Sequence, residues 1–69
     1  RIIECVQQRR VDADIVDDSC MLTFYHGDLA VARREIVGKD ASYAIKAAEN
    51  WCQDILKCEH FTVEERLKV

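Results

Sequence analysis

Sixty-nine residues with ten basic and thirteen acidic side chains carry a formal net charge of −3, and 49% of them are hydrophobic. That balance argues against a whole-surface electrostatic grip on nucleic acid, so any such contact has to be local. The length allows one domain, whose core is small enough to call for a staple: a metal, a disulfide or a partner surface.

No apolar run approaches the roughly 20 residues needed to cross a bilayer, so no membrane span is expected. The chain opens on Arg1 with no secretory-signal pattern and reads as a piece of a longer intracellular protein, nuclear or cytoplasmic. In that setting the four cysteines, Cys5, Cys20, Cys52 and Cys58, are expected as reduced thiols or metal ligands instead of disulfides.

Between Arg1 and Gln8 the apolar residues Ile2, Ile3, Cys5 and Val6 recur at helix-like spacing and predict a short helix, although the run is too short to separate from a strand. Val11 to Val16 alternates apolar and acidic residues, the period-two signature of a half-buried strand, and Asp17-Asp18-Ser19 supplies turn chemistry. Cys20–His26 and Leu29–Glu35 then flank Gly27-Asp28, where glycine takes positive φ without cost, and predict a tight hairpin. In that register His26 faces Leu29, Phe24 faces Val31 and Leu22 faces Arg33. Leu22, Phe24, His26, Leu29 and Val31 share one face, and Met21, Thr23, Tyr25, Ala30, Ala32 and Arg34 the other.

Asp40 stands where an N-cap belongs, and Ala41 to Lys57 predicts one long amphipathic helix with Ala44, Ala48, Trp51 and Ile55 as its buried stripe. Thr62 followed by Glu64 and Glu65 predicts a short closing helix over Phe61–Val69. The expected fold is a two-layer α+β sandwich of order α-β-β-β-α, with a short C-terminal helix.

The order of elements, together with "GKDASYAIKAAENW" and its Ala47-Ala48 pair behind Gly38, resembles a double-stranded-RNA-binding domain. Over nearly the whole chain, "CMLTFYHGDLAVA", "ASYAIKAAENWCQDILK" and "FTVEERLKV" are most similar to the C-terminal domain of fungal Dicer-type ribonucleases. The resemblance implies an accessory domain of a ribonuclease III-type enzyme of RNA interference, with cleavage performed by other domains. It also implies a structural zinc held by Cys5, His26 and two further thiolates, although the family's Cys-x-Cys pair is missing here. Cys58 and His60 are the local pair expected to complete that shell in its place. Read as residues alone, His26 is more often a packed, partly buried hairpin residue than a ligand, and only the resemblance makes the two readings equal; Cys20 and Cys52 are core thiols.

Such domains contact duplex RNA through the first helix, a loop after the first strand and a lysine cluster at the second helix. Here the loop is the acidic Asp17-Asp18-Ser19, and the helix entry carries Lys39 alone. Lys39, Lys46, Arg33 and Arg34 remain as RNA contacts, with Arg9-Arg10 nearby, so duplex binding is expected to be weak. The alternative is an RNA-inactive module of the same fold that binds a partner protein, with Tyr25 and Met21 as its exposed patch. Neither Ser19 nor Ser42 has a histidine and carboxylate assignable from spacing, so no catalytic set is expected within the domain.

Overall fold

The computed structural model describes residues 2–5 and 7–67. It is a small α+β domain. Strands β1 (Ile2–Glu4), β2 (Arg9–Val16), β3 (Ser19–His26) and β4 (Leu29–Val37) precede helix α1 (Ala41–Cys52), and a one-turn 3-10 helix follows at Cys58–His60. The strands form one four-stranded antiparallel sheet in the order β1-β2-β3-β4.

The alternation in β2 holds over its first part: Val11 and Ala13 are buried, whereas Ile15, next on the same face, is half exposed, and Asp14 is exposed on the opposite face. The β3–β4 hairpin turns at Gly27, which adopts φ +64°, and pairs His26 with Leu29 as expected. One residue further on the register slips. A bulge between Phe24 and Tyr25 pairs Phe24 with Ala32 instead of Val31, and Leu22 with Arg34 instead of Arg33. An extra residue reverses the facing of all that follows. Ala32 and Ile36 therefore enter the core, Arg34 joins the same face, and Leu29 is left half exposed.

The predicted first helix is not formed. Ile2, Ile3 and Glu4 pair with Asp12, Val11 and Arg10 of β2, while Arg1 and Val6 lie outside the described residues. Two consecutive β-branched residues fit a pleated strand, and the exposed edge of β2 supplies the hydrogen bonds that an isolated two-turn helix lacks. Gln7 and Gln8, both at φ 64°, then reverse the chain into β2. The sheet thus has a fourth strand where the expected order has a helix.

α1 starts where predicted: the Asp40 carboxylate accepts the Tyr43 N–H at 3.1 Å and the Ser42 hydroxyl at 2.9 Å, which holds its carboxyl below the usual range. The helix ends at Cys52, five residues earlier than expected, with Asp54 at φ 61°. Ala44, Ala48 and Trp51 are buried on the sheet, but Ile55 lies beyond the helix and is exposed.

The core closes on an aromatic trio. Ring centroids of Phe24, Trp51 and Phe61 are 4.9 to 5.8 Å apart, within the range of favourable tilted contacts. The Trp51 indole N–H donates to the Tyr25 carbonyl at 3.3 Å. Phe61 is what brings the C-terminal segment down onto the sheet.

That segment is not the predicted helix, and Lys68 and Val69 lie outside the described residues. Thr62 and Glu65 do form a reciprocal cap, with Thr62 N–H donating to Glu65 Oε1 at 2.8 Å and Glu65 N–H to Thr62 Oγ1 at 3.2 Å. The turn goes no further because Arg66 bridges Ala32 antiparallel. The Arg33 N–H donates to the Glu65 carbonyl at 2.8 Å and the Leu67 N–H to the Val31 carbonyl at 3.0 Å. The tail is a short added strand on the outer edge of β4.

A disulfide joins Cys5, just after β1, to Cys52, the last residue of α1, with Cα atoms 5.0 Å apart. This corrects two expectations at once: Cys5 is no free thiolate and Cys52 no core thiol. The staple that so short a chain calls for is a covalent tie between sheet edge and helix end. Cys20 stays a buried thiol, its pKa raised by burial and by the nearby Asp14.

Candidate interaction site

The zinc set does not assemble. Among the described residues no group of three or more His, Cys, Asp or Glu side chains is placed to hold a metal. Each proposed ligand is accounted for otherwise. Cys5 is oxidised to Cys52, and a disulfide sulfur is not the thiolate that zinc binds. His26 is exposed at the end of β3, opposite Arg9 and Leu29. Cys58 is a free, exposed thiol. His60 is in the 3-10 turn, where Nδ1 accepts the Lys57 N–H at 2.9 Å.

Several basic side chains are engaged within the fold. Arg34 lies on the core face of β4 and donates from Nε to Glu65 Oε2 at 2.8 Å and from Nη2 to Oε1 at 3.4 Å, with its guanidinium 5.2 Å from the centre of the Phe61 ring. The fork geometry holds the Glu65 carboxyl below its ordinary range; partial desolvation opposes the shift, and Thr62 adds to it. Arg9 stacks 4.5 Å over Trp51, donates to the Trp51 carbonyl at 3.0 Å and pairs with Asp54 at 2.8 Å. Arg10 stacks 4.2 Å over Tyr25 on the outer sheet face. These stacked cations do packing work, as guanidinium planes on aromatic faces commonly do.

Of the remaining predicted RNA contacts, Arg33 is exposed on the outer sheet face. Lys39 and Lys46 stand on the other side of the molecule, where α1 leaves a groove against the edge of β4. Lys39 Nζ lies 5.5 Å over the Tyr43 ring. The groove has a volume of about 380 Å³ and is lined by Arg34, Glu35, Ile36, Val37, Lys39, Tyr43, Ala47 and Glu65. It adjoins a 190 Å³ hollow that shares Arg34, Tyr43 and Ala47 and adds Lys46, Asn50 and Leu56. Three of the four predicted contacts, Arg34, Lys39 and Lys46, thus meet at one feature, and Arg33 does not join them.

The sequence reading missed Glu65 as the partner of Arg34, Tyr43 as a groove wall, and the exposed stretch of β4 beside them. Thr62-x-x-Glu65 was a visible signal for a cap, but only the bulge that turns Arg34 inward makes Glu65 its counter-ion.

The class of molecule defined by these features is a small disulfide-stapled α+β domain that presents a groove beside an open sheet edge. No family model, curated protein or solved structure matches the chain.

Proposed function

We propose that this domain is an accessory interaction module that docks a partner protein, an RNA-inactive variation on the double-stranded-RNA-binding fold. The run β2-β3-β4-α1 is compatible with the three strands and second helix of that fold. The observation that carries the reading is the fate of the arginines: Arg9, Arg10 and Arg34 are spent on Trp51, Tyr25 and Glu65. An RNA surface needs cations free to meet phosphates, and fewer free cations mean weaker, less salt-dependent binding. The usual first-helix contact region is here strand β1, and the first strand connection is the tight acidic turn Asp17-Asp18.

A second reading, weak duplex placement within a Dicer-type ribonuclease of the cell interior, draws support from Lys39 and Lys46, whose side chains line adjoining parts of one groove. Titration with a duplex of about 16 base pairs, the span such domains cover, at low and moderate salt separates the two. The interaction-module reading expects no saturable binding. Saturable binding that Lys39→Glu with Lys46→Glu abolishes would transfer the assignment to RNA.

A further inference from the structure

We infer that the outer edge of β4 from Glu35 to Val37, with the groove it shares with α1, docks an extended acidic peptide strand of a partner protein by adding it to the sheet. The inference rests on the interaction-module reading and supplies its partner class.

The backbone carries the first part of the argument. β4 is the last strand of the sheet, so alternate residues direct both N–H and C=O outward. The tail identifies which ones, since Val31 and Arg33 bond Leu67 and Glu65 across that edge. By the strand's period of two, Glu35 and Val37 point the same way. The chain preceding Glu65 turns into the core at Phe61, and no described backbone group bonds the outward amides of Glu35 and Val37. Half of the edge therefore already holds an added strand, and the adjoining half has the same geometry with no strand from the described residues on it. Exposed edges of this kind are templates for pairing with another chain.

The groove supplies selectivity. A strand added about 4.8 Å from β4 sends every second side chain to the helix side of the sheet. There it meets Ile36, Tyr43 and Ala47, an apolar floor with one aromatic wall. Arg34 and Glu65 neutralise each other at 2.8 Å, which leaves the ammonium groups of Lys39 and Lys46 and the carboxylate of Glu35 as the other charges around the groove. Glu35 is exposed and lines the same groove, so its carboxylate offsets one of the two ammonium groups and a single positive charge is left in excess. An incoming strand with apolar residues at alternate positions and carboxylates beside them complements this surface.

The test uses the oxidised 69-residue chain and a display library of short random peptides. The expected result is enrichment of alternating apolar and acidic sequences. Binding of a synthetic selected peptide should slow hydrogen exchange at the Glu35 and Val37 amides. Lys39→Glu with Lys46→Glu should weaken it about fivefold or more, the scale of two rim charge contacts. Glu35→Pro should abolish binding by removing an outward donor, with Glu35→Ala retaining it; proline is tolerated at an edge position of this kind. Should the proline variant not fold, the exchange pattern of the unmodified chain decides. Peptides that perturb Met21 and Tyr25 instead overturn the edge assignment while leaving a protein-binding module. No enrichment overturns the edge assignment as well. Protection of the same amides without peptide, in a dimer detected by sedimentation, reassigns the edge to a second copy. Failure of the underlying reading shows separately, as saturable duplex RNA binding.

Discussion

Breaking the Cys5–Cys52 bond tests what holds so small a domain together. The bond closes a loop of sequence separation 47, and the chain-entropy relation for such a loop gives about 4 kcal/mol of stabilisation at 25 °C, by restricting the unfolded chain. A domain of this size has a total stability on the order of 5 kcal/mol, so reduction should remove most of it. The assay is urea unfolding followed by Trp51 fluorescence, for the oxidised chain, the reduced chain and Cys5→Ser with Cys52→Ser. The midpoint should fall in both uncrosslinked forms, and the m-value should rise because their unfolded states expose more surface. Thiol alkylation should find two reactive groups in the unfolded oxidised chain, Cys20 and Cys58, with only Cys58 reacting quickly when folded. Four alkylated thiols without reductant, or a stability change below about 0.5 kcal/mol, would refute the reasoning that this bond replaces a metal as the staple.

Phe61→Ala should cost about 3 to 5 kcal/mol, as truncating a buried aromatic does; urea unfolding checks it, and the Arg33 and Leu67 amides should exchange faster as the tail loosens. Glu65 has its pKa lowered from 4.5, so its contribution to stability is present above that value and is lost as pH falls through the depressed folded pKa. Thermal unfolding from pH 6 downward should show an acid-side loss that Glu65→Gln reduces, and an unchanged profile in that variant would remove the Arg34 pair from the account. Gly27→Ala forces an alanine to φ +64° with open space around its Cβ, so strain alone should destabilise by about 1 kcal/mol without changing the fold.

Local chemistry alone accounts for a definite part of this protein. The alternation of Val11 to Val16, the Gly27-Asp28 turn, the Asp40 cap and the Ala44-Ala48-Trp51 stripe are short-range patterns whose physics is complete within a few residues, and each was legible. Contacts distant in sequence decided the rest. Ile2–Glu4 carries too few residues for periodicity to choose between helix and strand, and the free edge of β2 made the choice. The bulge after Phe24 reversed the faces of Ala32 and Arg34 because one extra residue in a period-two element inverts all that follows. The partners Cys5–Cys52 and Arg34–Glu65 lie 47 and 31 residues apart, separations at which spacing carries no information about proximity. The candidate site belongs to this second group: the groove and the open stretch of β4 arise only once the helix crosses the sheet and Phe61 draws the tail onto half of its edge.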